Sequence, residues 1–159
     1  MNSVFTLEKL DDVKIILKKY KTQIKKMINI MLDLPDLKSS KVFRGDISKI
    51  RFDISFCNDK TIHQINKEYR QKDCPTDVIT FSLFADDDNA LVYRKTAELG
   101  QIIISVETAK AQAKETLEKE ILTLICHGIL HLFGFDHLTK KDYDFVVRIQ
   151  NLVVGKLYE

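Results

Sequence analysis

Apolar and polar residues recur along this chain with two different periods, which together predict a mixture of helices and strands. Between residues 13 and 31 the apolar positions, Ile16 among them, fall three or four residues apart, which is typical of an amphipathic helix. From Ile50 to Cys57 apolar and polar residues alternate, which indicates a strand with one buried face. Asn58 or Asp59 can then cap a further helix. The apolar side of that helix carries Ile62, Ile65 and Tyr69.

Two more strands are predicted further along the chain. Val78–Phe84 and Gln101–Val106 are rich in β-branched and aromatic residues, which favour extended structure. The acidic stretch Asp86–Asn89 between them is expected to be a solvated loop, with cation binding by its three acids as the alternative. No repeat, low-complexity tract or linker interrupts these segments.

Three helices are predicted in the last third of the chain. The first two span about residues 107–116 and 118–133. The second is expected to end where Gly134 permits a left-handed turn. Thr139 and Asp142 form a capping-box-like pair ahead of the last helix. That helix carries apolar residues at helical spacing: Phe145, Val146, Ile149, Leu152 and Val153.

The length and composition of the chain indicate one compact domain over residues 1–159. Hydrophobic residues make up 45% and charged residues 30%, which excludes a disordered chain. No apolar run approaches the roughly 18 residues that a membrane span requires. The N-terminal residues mix charged and apolar side chains, so we expect no signal peptide and a cytoplasmic protein.

The formal net charge of +2 does not by itself indicate a polyanionic partner. The distribution of charge is more informative, because six lysines and no acid lie between Lys14 and Lys26 on the first predicted helix. We interpret this run as a solvated helix face. The alternative is a surface that attracts phosphate groups without base specificity.

Three of the four histidines of the chain lie in the segment HGILHLFGFDH, residues 127–137. His127 and His131 are four residues apart on a predicted helix, so their imidazoles project from the same face one turn apart. A short turn after Gly134 can bring His137 back towards them. Three neutral nitrogens from a helix and its following turn suit a tetrahedral zinc ion whose fourth position is open to water. Imidazole also suits nickel, iron and copper.

Purely structural explanations of these histidines are weaker. A closed structural zinc site generally takes four protein ligands, and the three cysteines of the chain form no CxxC pair that could complete one. Cys126 precedes His127 directly, but adjacent helical residues point in different directions. His63 lies outside the cluster and is interpreted as an ordinary structural or surface residue. We therefore predict a metal site of the catalytic type.

The histidine spacing is also that of a large group of zinc proteases, with one difference. Those proteases carry a glutamate directly after the first histidine, where it acts as general base on a peptide carbonyl. Here the position is Gly128, so peptide hydrolysis lacks its usual base. Asp136 or Asp77 could replace that base, although no motif supports either. A metalloprotease-like hydrolase is therefore the less favoured hypothesis. Gly128 could instead let a substrate backbone or another helix approach closely.

Three motifs, in the order expected, resemble the YbeY family of bacterial endoribonucleases, the rRNA maturation factors. HGILHLFGFDH at residues 127–137 is similar to the family pattern HGxLHLxGYDH. NKEYRQKDCPTDVITF at residues 66–81 is similar to NxxYRxKDxPTDVLSF. LGQI at residues 99–102, followed by AQA at residues 111–113, is similar to the LGDI stretch and the helix after it. The resemblance covers roughly residues 50–155.

The chain departs from the family pattern at three places. Phe135 stands where the family usually has tyrosine, Gln101 replaces the usual aspartate, and Thr80–Ser82 replaces Ser-Phe-Pro. None of these changes removes a metal ligand or the arginine of the family. They affect the detail of the expected cleft rather than the class of protein.

The resemblance implies an α+β fold in which a small mixed sheet packs against helices, with the metal-bearing helix near the centre and the site in a cleft. It implies that His127, His131 and His137 bind one Zn²⁺ ion, with Ni²⁺ or another transition metal as the alternative, and that Arg70 is catalytic. It also implies a single-strand endoribonuclease that matures the 3′ end of small-subunit rRNA and serves ribosome quality control. The expected partners are RNA, the ribosome and ribosomal proteins, with no DNA and no membrane.

The chemistry of Arg70 agrees with that role. A guanidinium is always charged, matches phosphate with two hydrogen bonds, and can stabilise negative charge that develops during phosphodiester cleavage. The sequence leaves the nucleophile open between water activated by the metal and the ribose 2′-hydroxyl. It also leaves open whether Asp136 orients a histidine or only caps the turn. A non-catalytic ribosome-assembly factor with a structural metal is the main alternative function.

Overall fold

The computed structural model describes residues 1–85 and 95–159, and a four-stranded β-sheet organises them. The strands are β1 Asn2–Lys9, β2 Lys49–Cys57, β3 Val78–Ser82 and β4 Thr96–Ser105. They lie in the order β1-β2-β4-β3, with β1, β2 and β4 parallel and β3 antiparallel to β4. The predicted mixed sheet and the α+β fold class are confirmed.

Five α-helices pack around this sheet within the described residues. They are α1 Leu17–Asp33, α2 Asp59–Arg70, α3 Val106–Gln112, α4 Leu117–Leu132 and α5 Lys140–Leu157. Helix α4 is central, because it packs against α1, α3 and α5 as well as against β3 and β4. Most of its apolar side chains are fully buried, so the helix that carries the first two histidines of the motif is fixed on several sides.

The two faces of the sheet are covered by different helices. One face lies in the main core together with α1, α4 and α5. The other face contributes to a smaller apolar cluster with α2, which consists of Cys57, Ile62, Ile79 and Ile103. The prediction that β2 has one buried face is therefore wrong at its carboxyl end, since Ser55 and Cys57 are both fully buried.

Several element boundaries differ from those predicted. Helix α1 begins at Leu17, and Ile16, which was expected on its apolar face, is 70% exposed. Val13 and Ile15 are buried, but they belong to the irregular segment that leads into the helix. Strand β3 and helix α3 end earlier than predicted, and β4 begins earlier. Strand β1 was not predicted.

Two predicted helix starts are confirmed by their hydrogen bonds. The Thr61 N–H donates to Asn58 Oδ1 at 2.9 Å, so Asn58 rather than Asp59 caps α2. The Asp142 N–H donates to Thr139 Oγ1 at 3.1 Å, so Thr139 caps α5. Both caps satisfy a backbone donor that would otherwise have no partner in the first helical turn.

The lysine run forms an exposed face, as its interpretation as a solvated surface predicts. All six lysines between Lys14 and Lys26 are exposed, and Lys19 Nζ lies 2.9 Å from a carboxylate oxygen of Glu118 on α4. The acidic stretch Asp86–Asn89 lies outside the described residues. Among the helices of residues 1–85 and 95–159, none is long and apolar enough to span a membrane.

Candidate metal centre

Helix α4 places His127 and His131 side by side at the edge of the core. The two residues are one helical turn apart, and their ring centroids are 5.3 Å apart. Both side chains are half-buried, whereas the residues between them, Gly128 to Leu130, are buried. The buried side of the helix therefore holds the two imidazoles in place while leaving their outer edges accessible.

The turn after α4 returns the chain so that His137 faces the other two histidines. Gly134 has a φ of 97°, as the prediction of a left-handed turn requires. The Gly134 N–H donates to His131 O, and the Phe135 N–H donates to Leu130 O, both at 2.9 Å. This pair of bonds is a Schellman motif. The His137 ring consequently lies 5.0 and 5.2 Å from the other two rings, measured between centroids.

A buried serine from a distant segment supports the same turn. Ser40 is 4% exposed, and its Oγ donates to Phe133 O at 2.6 Å, at the carboxyl end of α4. The bond satisfies one of the carbonyl groups that have no partner inside a helix. Sequence reasoning missed this contact, because nothing in the local sequence distinguishes Ser40 from the exposed Ser39 before it.

The three histidines form a donor set that fits a metal ion. One potential ligand nitrogen from each lies within 4.8 Å of the other two. Burial lowers the pKa of His127 and of His131, and each is lowered further by a neighbouring histidine. The rings are thereby held neutral, which leaves a nitrogen lone pair available to a cation. Three imidazoles beside an open cleft are typical of zinc sites with a free coordination position.

The structure favours one of the two roles considered for Asp136. The His137 N–H donates to Asp136 Oδ1 at 2.7 Å, so the carboxylate caps the turn that carries His137. The same Oδ1 lies 3.8 Å from His131 Nε2, beyond the distance of a hydrogen bond. Asp136 therefore stabilises the turn directly, and it adds a negative charge near His131.

An open cleft of about 470 Å³ lies over the three histidines, and Arg70 lines it. Arg70 is the last residue of α2, so the cleft lies between the end of α2 and the turn that follows α4. Within the described residues its guanidinium has no hydrogen bond or ion pair, and its charge nevertheless contributes to lowering the pKa of His131. The other residues that line the cleft are Thr76, Asp77, Val78, Thr80, Asp136 and Leu138.

Asn66 fixes the segment that follows Arg70. Asn66 is 1% exposed, and its backbone carbonyl oxygen accepts hydrogen bonds from the N–H groups of Gln71 and Lys72. Its side-chain Nδ2 donates to Cys74 O at 2.9 Å. Gln71 adopts a left-handed conformation with a φ of 55°. These contacts end α2 at Arg70 and set the course of the chain towards the cleft.

A family model described as Endoribonuclease YbeY matches residues 6–157 of the chain. The chain belongs to the YbeY family. The match extends the motif-based resemblance, which covered roughly residues 50–155, to nearly the whole sequence, and it includes the first helix and the second half of the unpredicted strand β1.

Individual YbeY proteins are similar over most of the chain. The Endoribonuclease YbeY of Sulfurihydrogenibium sp. (strain YO3AOP1) is 38% identical over 128 residues, which cover 78% of this chain and 81% of that protein. That of Clostridioides difficile (strain 630) is 32% identical over 93% of this chain and 94% of its own length. That of Prochlorococcus marinus (strain MIT 9211) is 42% identical over 62% of this chain, and this match spans about half, 53%, of that protein.

A solved structure shows the same fold. The solution structure of TM1509 from Thermotoga maritima superposes with a TM-score of 0.54 at 23% sequence identity. The superposition covers 96% of this chain and 91% of that one. The helices and strands described above are therefore arranged as in an experimentally determined structure.

Two of the three departures from the YbeY pattern lie away from the cleft. Gln101 Nε2 donates to Ser55 Oγ at 3.2 Å on the sheet. The Phe135 ring packs against that of Phe145 on α5, with 5.4 Å between centroids, so it makes an apolar contact in which a hydroxyl is not required. Neither residue lines the cleft, whereas Thr80 does. Of the residues at which the sequence departs from the family pattern, Thr80 is therefore the one that lines the cleft.

Gly128, which stands in place of the protease glutamate, faces the sheet. A Cβ atom at Gly128 would lie 2.8 to 2.9 Å from three atoms of the Ile102 side chain on β4. Helix α4 and strand β4 approach each other at this point as closely as a residue without a side chain permits. The close neighbour is a strand, which corrects the expectation of a substrate backbone or a second helix.

The remaining polar candidates lie outside the histidine cluster. His63 Nε2 lies 2.7 Å from Asp73 Oδ1, and this contact holds the pKa of Asp73 below its usual value. Cys126 is fully buried, and burial raises the pKa of its thiol to about 12, so it stays protonated. Lys72, two residues after Arg70, is exposed and does not line the cleft.

Sequence reasoning missed two glutamines that contact cleft residues. Gln150 on α5 has its Oε1 3.2 Å from Nδ1 of His127. Gln112 Nε2 donates to Asp77 Oδ2 at 2.9 Å, while the Val78 N–H donates to Asp77 Oδ1 at 2.7 Å. Both oxygens of the Asp77 carboxylate are thereby held. The sequence offered one signal for Gln150, namely its position directly after Ile149, an apolar residue of the last predicted helix that is indeed buried.

Proposed function

We propose that this protein is a metal-dependent endoribonuclease that cleaves single-stranded RNA. The observation that carries the proposal is that one cleft is lined both by three histidines and by an arginine without a carboxylate partner among the described residues. A cation site beside a free guanidinium suits a substrate with a phosphodiester group. The relatives named Endoribonuclease YbeY agree with this substrate class.

His127, His131 and His137 would hold the metal, which we propose to be one Zn²⁺ ion per chain, with Ni²⁺ as the alternative. When bound, such an ion lowers the pKa of a coordinated water molecule and polarises a phosphoryl oxygen. The chain itself keeps His127 and His131 neutral through burial, and α4 and the turn after it fix the positions of all three rings. The side of the three histidines that faces the cleft stays open, so that a phosphate can enter there.

Arg70 would stabilise the negative charge that develops on the phosphate oxygens during cleavage. The guanidinium stays charged at any physiological pH and offers two parallel donors to a phosphate. Because it forms no ion pair within the described residues, its donors are available to the substrate. Its position at the end of α2, fixed by the Asn66 contacts, determines where the scissile phosphate would lie.

Asp77 and Asp136 are the carboxylates that line the cleft, and they are the groups that could accept a proton from the nucleophile. Asp136 is engaged in the turn, and both oxygens of Asp77 accept hydrogen bonds from Val78 and Gln112. Position 128 offers no base and faces the sheet. The nucleophile itself is either water or the ribose 2′-hydroxyl of the RNA.

An exposed aromatic ring in the last turn of α2, next to Arg70 in sequence, supports a single-stranded substrate. Tyr69 is 61% exposed, and its ring packs edge-on against Phe81 with 5.6 Å between centroids. Unpaired bases stack readily on rings presented in this way, whereas bases inside a duplex are already stacked. Tyr69 was expected on the apolar side of α2, and its exposure gives it a surface available to RNA.

The natural substrate proposed from the family resemblance is the 3′ end of small-subunit rRNA. The protein would then act in the cytoplasm, together with the ribosome and ribosomal proteins, in rRNA maturation and ribosome quality control. The exposed lysines of α1 provide positive charge that attracts a polyanion without base specificity. We do not propose DNA as a partner.

The proposal is tested by cleavage of matched single-stranded and duplex RNA with the wild-type protein. We expect internal cuts in the single strand and much slower cutting of the duplex. A chelator should stop cleavage, and added Zn²⁺ should restore it. A well-folded protein with bound metal that leaves single-stranded RNA intact would overturn the endoribonuclease proposal.

Replacing Arg70 by Ala is expected to slow RNA cleavage by roughly 10²- to 10³-fold, because one preorganised donor to the developing charge is lost. Arg70→Lys should recover only part of the rate, since an ammonium lacks the paired donors of a guanidinium. Zinc content should stay at the wild-type value in both variants. The measurement is the single-turnover cleavage rate alongside elemental analysis.

The matched control for Arg70 is Arg51, an exposed arginine on β2 that lies 3.8 Å from Glu98 and does not line the cleft. Arg51→Ala should cleave RNA at the wild-type rate. An Arg70→Ala variant that cleaves as fast as Arg51→Ala would show that Arg70 has no catalytic role.

A further inference from the structure

We propose that Gln150 is a positioning residue that fixes His127 in the tautomer protonated at Nδ1, so that its Nε2 lone pair is directed at the metal position. The inference rests on the proposed metal site and concerns how one ligand is prepared for it. It gives α5 a role in a site whose proposed ligands all lie in α4 and the following turn.

The contact that carries this inference joins two helices. Gln150 Oε1 lies 3.2 Å from His127 Nδ1, between α5 and α4. Both side chains are half-buried, and Ile149 and Val153, the neighbours of Gln150 on α5 at one and three residues, are fully buried. Helices α4 and α5 also pack directly against each other. The amide is therefore held at a packed helix interface rather than free in solvent.

The chemistry of neutral imidazole determines the direction of this hydrogen bond. One ring nitrogen carries the proton and the other carries the lone pair. With Gln150 Oε1 facing Nδ1, the proton must lie on Nδ1, because a carbonyl oxygen can only accept. Nε2 then has the lone pair that a metal requires. A hydrogen bond at one nitrogen is the usual means by which proteins fix the other as the ligand.

His127 differs in this respect from the other two histidines of the cluster. Within the described residues, the rings of His131 and His137 form no hydrogen bond, and the nearest carboxylate oxygen to His131 Nε2 is Asp136 Oδ1 at 3.8 Å. Their orientation comes from packing and from the turn. His127 is thus the ligand whose tautomer is set before a metal arrives, and Gln150 sets it.

Partners of this kind commonly change metal affinity by about 10- to 100-fold when they are removed. We therefore expect Gln150→Leu, which keeps the size of the side chain but removes the acceptor, to weaken zinc binding by that factor. Gln150→Glu, which keeps an acceptor oxygen, should bind zinc at least as tightly as the wild type. The pair separates loss of the hydrogen bond from a change in packing.

The decisive experiment measures the tautomer in the metal-free protein. In ¹⁵N-histidine NMR spectra recorded well above the pKa of histidine, His127 should be protonated at Nδ1 in the wild type and in Gln150→Glu. In Gln150→Leu it should shift towards protonation at Nε2. Zinc dissociation constants, measured by competition with a chromophoric chelator, should rise only in the leucine variant.

The matched control is Asn151→Leu, which removes an exposed amide from the next position of α5 and should change neither measurement. Gln150→Met gives a second apolar variant if the leucine variant does not fold, as judged by thermal unfolding. A His127 ring that stays protonated at Nδ1 in a folded Gln150→Leu or Gln150→Met variant would overturn the proposal. Equal zinc affinity of these variants and Asn151→Leu would also overturn it.

The two proposals can fail separately. If the wild type bound zinc but never cleaved RNA, the proposed function would be wrong, while the tautomer and affinity measurements would still decide the role of Gln150. If the wild type cleaved RNA but its His127 tautomer did not depend on Gln150, only the inference about Gln150 would be wrong.

Discussion

Replacing His131 by Ala is expected to abolish both zinc binding and RNA cleavage while the protein stays folded. The change removes one of three nitrogens that lie within 4.8 Å of one another, and two imidazoles are too few to hold the ion tightly. His131 is only half-buried at the edge of the cleft, and alanine is a good helix former, so α4 should persist. Elemental analysis, RNA cleavage and circular dichroism on the same samples check these three outcomes.

His63→Ala is the matched control, because His63 is the histidine outside the cluster and contacts Asp73 instead. It should retain zinc and cleavage. A folded His131→Ala protein that still cleaves RNA at the wild-type rate would exclude a catalytic metal at this cluster. If His131→Ala unfolds and the wild type never cleaves RNA, the metal has a structural role. That outcome would support the alternative function, a ribosome-assembly factor without catalytic activity.

Replacing Gly100 by Ala is expected to lower the free energy of unfolding by at least about 3 kcal/mol, from backbone strain and overpacking together. Gly100 lies in β4 with a φ of 133°, a conformation that residues with a side chain rarely adopt. Its Cβ would also lie 1.9 Å from the carbonyl oxygen of Phe81 and 3.1 Å from Leu132. A backbone oxygen cannot move aside as a flexible side chain can, so β3 must shift. Urea unfolding measures the effect.

Gly155→Ala is the control for this substitution. Gly155 lies in α5, and no atom would lie within 4 Å of a Cβ placed there. Because alanine favours the helix, this variant should be as stable as the wild type or more stable by about 0.5–1 kcal/mol. A Gly100→Ala protein as stable as Gly155→Ala would contradict the close contact between β4 and the backbone of β3.

The features that the sequence predicted correctly depend on local chemistry. The Schellman turn at Gly134 follows from a glycine after an apolar helix, and the caps Asn58 and Thr139 follow from short polar side chains before helical patterns. The convergence of the three histidines results from these local rules, since a helical spacing of four and one tight turn are sufficient. For the same reason the candidate metal centre was easier to predict than the sheet.

The features that were missed depend on contacts between distant segments. Strand β1 contains three apolar residues, Val4, Phe5 and Leu7, none of which is fully buried, and its pairing with β2 is what defines it. The contacts of Ser40 with Phe133 and of Gln112 with Asp77 join residues far apart in sequence. Ile16 was misassigned because its spacing fits the helical pattern, although the helix begins after it.

The packing of Gly128 against Ile102 also limits how this chain could evolve into a protease-like sequence. Replacing Gly128 by Glu would complete the protease motif in one step, but the first side-chain atom would already lie 2.8 Å from Ile102 on β4. A second change, either a smaller residue at position 102 or a displaced strand, would have to accompany it. Two lineages with the same histidine spacing can thus be kept apart by the distance between a helix and the strand beneath it, so that neither reaches the other through single substitutions.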